Sequence, residues 1–310
     1  MIRWIVSLPS RFQGWILSLA LLLVAVPAQA GTWILDAQGG QHRTKFAWTI
    51  AGPGGTPNVL SELTFKSTGP KGTLNLRWLS ESETFFVDTR FTYGLNDSGE
   101  VRDDDFALND RQGLFSRSMS TIGGNSLYGV QGQLGWRFLN TEHIAIAFTA
   151  GYAFDYTSFR MTAPATQIVP AVPVDFSQLN SMYNARWNTV TIGLETQVPL
   201  HPLPLAFVLK GHYWPNVDYT GKGFWNLREG FQQNPSFRHQ ADGNGGDVDV
   251  SLLLRFTTRW QATAGYHKIW MKTRGGRDQT FFTDGSSPVI PFNGADYRAS
   301  AWYAGIGYRW

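Results

Sequence analysis

The chain has no cysteine. Disulfides, thiolate metal sites and cysteine nucleophiles are therefore excluded. Charge is scarce: Asp, Glu, Lys and Arg make up 16% of residues, against roughly a quarter in soluble domains. The formal net charge is only +3, and Arg3 and Arg11 at the extreme N-terminus supply part of it. Such a balance is not the footprint of a nucleic-acid binder. Beyond residue 30 no apolar run reaches the ~18 residues expected of a helical membrane span. Nucleotide-binding glycine motifs, calcium-loop spacing and Ser/His/Asp hydrolase signatures are missing too. What the chain has in abundance is aromatic and small: 15% Phe, Trp and Tyr, with 13 Trp and 33 Gly.

The N-terminus reads as an export signal. A basic start is followed by the apolar run Trp15–Val26 and by Ala28-Gln29-Ala30, a small-x-small cleavage site. This predicts a signal peptide over 1–30 and a mature chain over 31–310. An exported protein without disulfides needs another source of stability, and a closed hydrogen-bonded barrel supplies one.

The mature chain alternates apolar and polar residues with period two. Tyr128, Val130, Leu134, Trp136 and Phe138 share one face, with Gln131, Gln133 and Arg137 on the other. The same pattern recurs in 84–93, 189–198 and 248–257. The apolar faces carry aromatics near their ends, as interfacial girdles require. The chain also ends on the alternating run Trp302, Ile306, Tyr308, Trp310. Ten strands are expected, near 33–47, 58–79, 82–96, 125–140, 143–160, 184–199, 202–216, 246–257, 260–274 and 298–310. Tight turns at 80–82, 140–143, 200–202 and 257–259 alternate with long connections at 97–124, 161–183, 217–245 and 275–297. The fold class is all-β: a ten-stranded antiparallel transmembrane β-barrel in a Gram-negative outer membrane, its long loops extracellular. Polar inward residues such as Asp88, Arg90, Glu195, Lys210, Asp249 and Arg255 would fill the lumen with ion pairs.

Several segments then resemble one family in order along the chain. Val59–Lys66 looks like a second-strand S-x-L-D-W-K segment, and Gly99–Phe106 looks like G-x-x-x-D-x-D-W. Gly151-Tyr152, Ser158-Phe159, Tyr183–Trp187, Met271–Gly276 and Asn293–Ala295 follow in register. Together they resemble the omptin family of surface proteases. The resemblance implies an extracellular groove with an aspartate pair on one side, an Asp/His pair on the other, and a water between them. Asp103 and Asp105 match the aspartate pair, with Phe106 in the Trp position. One residue apart on an extended strand, they share a side, and one is expected to hold a proton near neutral pH. The family's Asp-x-His falls near Gly221 and Gly223, and no Asp-x-His occurs anywhere in the chain.

His239, with Asp242 beside it, is the candidate replacement. His212 reads as a lumen hydrogen-bonding residue and His267, on the ninth strand, as structural. Where family members that cut at basic residues place acidic groups, 41–50 brings His42, Arg43 and Lys45 instead. The resemblance also implies lipopolysaccharide as a lipid partner and activator, with Tyr152 and Arg186 on matching positions. No metal or other cofactor is expected, and no nucleic-acid partner. Three functions stay open. One is a surface endopeptidase. Another is a non-catalytic barrel that binds an extracellular protein or peptide. The third is a small pore.

Overall fold

The computed structural model describes residues 31–310. The expected signal peptide lies outside the described residues. The strands are β1 (Thr32–Ile50), β2 (Ser61–Leu79), β3 (Phe85–Asn96), β4 (Ser98–Leu108), β5 (Gln112–Ile122), β6 (Asn125–Asn140) and β7 (Ala145–Val169). They continue as β8 (Asn180–Pro199), β9 (Leu205–Phe224), β10 (Phe237–Arg255), β11 (Trp260–Thr273), β12 (Gly276–Thr280) and β13 (Val289–Arg309). A single 3-10 turn, Pro53–Gly55, is the one helical element among the described residues.

Every pairing is antiparallel, and β13 closes on β1 from Ile34↔Arg309 to Ile50↔Phe292. The lower ring runs β1-β2-β3-β6-β7-β8-β9-β10-β11-β13 and holds ten strands, as the period-two pattern predicts. Closure leaves no unpaired edge, which is what a strand structure needs in lipid. Three further strands replace their neighbours higher up. Strand β2 pairs β3 through 71–79 and β4 through 61–68. Strand β10 likewise pairs β11 and then β12. The stretches expected as long loops are therefore largely sheet. They prolong the barrel well beyond the band that the sequence assigns to lipid. The break between β3 and β4 is sealed by buried Asn96. Its Oδ1 accepts from Ser67 Oγ at 2.8 Å and lies 3.2 Å from His42 Nε2, while its Nδ2 donates to the Ser158 carbonyl at 2.9 Å.

Side-chain polarity inverts along each strand. Low on β1, Leu35 and Ala37 face out while Asp36 and Gln38 face in. Higher on the same strand, Arg43 and Lys45 face out while Phe46 and Trp48 are buried inside. Strand β8 does the same, with Val190, Ile192 and Leu194 outward below and Tyr183 and Trp187 inward above. The lower outer face is the apolar band of a membrane barrel, edged by paired aromatics. Trp260, Tyr308 and Trp310 cluster at the turn end, and Tyr266–Trp302 and Tyr128–Tyr156 at the other edge.

The lower lumen is ionic. Arg77 reaches Glu195 through two contacts of 2.6 Å and also holds Asp88, with Lys210 3.4 Å from Glu195. His212 and His267 flank Asp247 at 3.1 and 3.3 Å, which places His212 in the lumen as expected and His267 beside it. A polar cavity of about 240 Å³ lies in this half and narrows to cavities of about 60 and 20 Å³ at mid-height. Above it the barrel fills with Phe46, Phe65, Phe159, Tyr183, Trp187 and Tyr219. Burial of each such side chain stabilises by about 1.5–3 kcal/mol.

Candidate functional site

The aspartate pair rides on the β4–β5 hairpin. The hairpin turns through Asp110 and Arg111, both in the left-handed region at φ 57° and 58°. Its tip is tied to the β1–β2 connection. Asn58 Nδ2 donates to Asp110 Oδ1 at 2.8 Å, and the Asp110 amide donates to Asn58 Oδ1 at 2.7 Å. Asn293 Nδ2 in turn donates to the Asn58 carbonyl at 2.8 Å, fastening the start of β13 to the same knot.

On β4, Val101, Asp103 and Asp105 alternate toward the barrel interior, with Val101 in the core. Asp103 sits opposite Leu63, and Asp105 opposite Ser61. The nearby Ser61 hydroxyl favours the ionised form of both carboxyls. Asp104 points the other way and is held by Arg117, at 2.6 Å from Nε and 2.9 Å from Nη2. The acidic triplet is thus two groups, a structural ion pair facing out and a carboxyl pair facing in. Burial, together with the neighbouring Asp105 charge, pushes Asp103 up to about 7. Burial raises Asp105 as well, against the pull of Ser61 and Arg228. Arg228, on the β9–β10 connection, is the cation whose field reaches both carboxyls. Sequence reasoning did not single it out, because nothing local marks it.

The opposite wall is aromatic. Gly221 and Gly223 lie on β9 and pair with His239 and Phe237 of β10. A side chain at Gly221 would begin 1.9 Å from the Tyr183 hydroxyl and 2.6 Å from that of Tyr219. One at Gly223 would begin 2.1 Å from the Phe237 ring. Aromatic groups of β8, β9 and β10 occupy the space beside these two glycines, where the resemblance places an Asp-x-His.

His239 sits within this aromatic packing, at 1% exposure. Its ring stacks on Phe292 at 4.3 Å between centroids and meets Trp48 edge-on at 4.7 Å. Nδ1 lies 2.7 Å from the Tyr183 hydroxyl, which lies 2.5 Å from that of Tyr219. Nε2 faces Asp278 Oδ1 at 3.2 Å, close enough for an ion pair but off the line of a hydrogen bond. Burial lowers the imidazole's proton affinity, which keeps the ring neutral. The carboxylate partner is therefore Asp278 of β12 and not Asp242, which is exposed on the outward face of β10. Asp278 is remote in sequence, and only the β10–β12 pairing brings it near. No hydrogen bond or ion pair among the described residues joins His239 to Asp103 or Asp105.

The other predicted residues separate similarly. Tyr152 faces out on β7, half exposed, within the apolar band. Arg186 faces out on β8, opposite Tyr156 and four residues up from the Tyr152–Val190 pair. They share a wall at different heights. His42 points inward, but Arg43 and Lys45 project from the outer wall and do not line the groove as the sequence suggested.

Comparison with known proteins follows the same lines. A family model described as Protochlamydia outer membrane protein matches residues 37–310. No curated protein matches the sequence. The structure resembles the outer membrane protease OmpT of Escherichia coli, with a TM-score of 0.73 at 12% identity, over 92% of this chain and 98% of that one. The translocator domain of the autotransporter NalP from Neisseria meningitidis (TM-score 0.38, 10% identity, 97% and 95% covered) is too different in shape to carry an argument. The same holds for OprG from Pseudomonas aeruginosa (TM-score 0.37, 10% identity, 91% and 96% covered). The fold is an outer-membrane β-barrel and the protein is located in the outer membrane.

Proposed function

The chain belongs to the Protochlamydia outer membrane protein family, and we propose that it is an omptin-like surface barrel whose protease groove has become a binding site for extracellular peptide or protein segments. The observation that carries this reading is the filled catalytic wall. Glycines stand where the Asp-x-His would be, and Tyr183, Tyr219 and Phe237 crowd the space above them. A carboxylate–imidazole couple must reach the water it deprotonates, and His239 is enclosed by aromatic rings.

What the rim keeps is recognition chemistry. Asp103 and Asp105 offer a site for a basic side chain, since a cation beside the pair draws off the shared proton and pairs with both carboxylates. Around it, Phe115 and Ile168 face out on the paired β5–β7 ladder, with Val172 and Val174 exposed beyond. Exposed apolar side chains such as these suit a protein partner. Lipopolysaccharide belongs to this reading as a lipid contact and activator, with Tyr152 and Arg186 as its contacts on the β7–β8 wall.

A second reading rests on one observation. His239 is the cross-strand neighbour of Gly221, and Asp278 is the neighbour of His239, so an Asp/His couple exists one and two strands from the expected place. A rearrangement of Trp48 and Phe292 would expose it and restore an endopeptidase.

Refolded mature protein with lipopolysaccharide, incubated with a mixed-sequence peptide library and read by mass spectrometry, separates the two. Binding without hydrolysis predicts no new termini, and retention of Lys- and Arg-containing peptides that Asp103→Ala/Asp105→Ala abolishes. Cleavage lost in both that variant and His239→Ala would establish the relocated couple instead.

A further inference from the structure

The outer wall formed by β11, β13, β1 and β2 carries a basic patch that neither the groove nor the lumen uses. Cross-strand register arranges it in rungs. The girdle rung is Tyr266–Trp302–Gln41. The next rung up is Lys268–Ser300–Arg43–Thr68, and the one above is Trp270–Arg298–Lys45–Lys66. Successive rungs are about 6.6–6.8 Å apart along a strand. Arg298, Lys45 and Lys66 thus stand side by side on three adjacent strands, an arrangement that costs stability unless the charge is neutralised.

Neutralisation is incomplete. Asp296 takes Arg298 through contacts of 2.9 and 2.9 Å, and Glu100 takes Lys66 at 2.6 Å. Arg43, Lys45 and Lys268 are exposed, and none has a carboxylate within 4.0 Å among the described residues. All three border an open depression of about 810 Å³ whose floor includes Tyr266, Ser300 and Thr68. The opposite wall differs, since Arg186 there stands among Tyr156, Thr220 and Asn188, with the acidic Asp218 close by.

We propose that this depression binds the phosphate-bearing headgroup of an outer-leaflet lipid. Height and charge together select that occupant. The aromatic rung marks where acyl chains end and headgroups begin, and the unpaired cations stand one and two rungs above it. Arg and Lys supply the donors that phosphate oxygens accept, while Ser300 and Thr68 add hydroxyls between them. The site is independent of whether the rim cleaves or only binds.

The absence of native cysteine allows a site-specific test. Gln41→Cys, exposed on the rung below the depression and outside its lining, carries a fluorophore, and the barrel is held in neutral-lipid nanodiscs. A nitroxide-bearing, bis-phosphorylated glucosamine-disaccharide lipid is then titrated in. Saturable quenching is expected. It should weaken roughly a hundredfold in Arg43→Gln/Lys45→Gln/Lys268→Gln, from three surface cations lost. The charge-keeping Arg43→Lys/Lys45→Arg/Lys268→Arg variant should bind like the parent, and heat-shifted gel mobility checks that each barrel is folded. Equal quenching in the Gln variant, or by the dephosphorylated lipid, would overturn the proposal. Displacement by millimolar inorganic phosphate would show a site for the free anion and overturn the lipid as its occupant.

Discussion

Below the Tyr266–Trp302 rung the strands turn their apolar residues outward, and above it the same strands turn them inward. On β8, Val190, Ile192 and Leu194 face out low on the strand, while Tyr183 and Trp187 are buried within higher up. On β1 and β8 the face that points outward stays the same, whereas β9 carries one extra residue between Trp214 and Val217 against both of its neighbours. What changes is the solvent on the outside. In lipid the outer face must be apolar, so polar groups retreat to the lumen and pair there. In water the hydrophobic effect fills the interior instead. The two halves are therefore held by different physics: an ion-pair lattice in one, an aromatic core in the other.

Substitutions can break either half separately. The largest effect is expected at Arg77, which binds both Asp88 and Glu195. Arg77→Ala leaves two buried carboxylates with only Lys210 between them and should cost ~3–5 kcal/mol in urea unfolding from micelles. Phe46→Ala opens a hole in the upper core and should cost ~3–4 kcal/mol. Phe91, by contrast, is 46% exposed on the lower outer face. There detergent or lipid replaces the lost contacts, and Phe91→Ala should change stability by less than about 1 kcal/mol. A large loss at Phe91 would place the lipid boundary elsewhere.

Gly221→Ala tests the aromatic wall on a finer scale. Its added methyl would meet the Tyr183 hydroxyl at 1.9 Å, an overpacking cost of roughly 1–3 kcal/mol. Tyr183→Phe in the same chain should recover part of it.

A pH dependence is expected as well. Asp103 ionises near 7 in the folded barrel against an ordinary 3.8. The folded state therefore holds its proton more firmly between those values, and the stabilisation it confers is complete below about pH 4 and lost as pH rises through 7. Thermal unfolding in micelles should show a decline over that window, and Asp103→Asn should flatten it. A slope of opposite sign would mean that Asp103 is held ionised by a partner such as Arg228.

The lower half was legible from residues alone because lipid demands a strict alternation and aromatic ends. The strand register around Trp136 and Trp302 and the short turns follow directly. The upper half was not, for identifiable reasons. Asp103-Asp104-Asp105 hides its alternation, since the outward Asp104 is as acidic as its inward neighbours, so β4 looked like a loop. Arg43 and Lys45 lie two residues apart and were placed at the groove, although their parity with Leu35 already set them outside. The Asp278–His239 contact depends on a strand pairing across nearly forty residues, which no local pattern announces.

The aromatic upper half closes the barrel. Planar-bilayer recording of the refolded mature protein tests it most directly. The packing of Phe46, Phe65, Phe159 and Tyr183 across the lumen predicts no unitary conductance steps, even at high salt. Stable, ohmic steps from the folded monomer would contradict it and return the protein to the small-pore function.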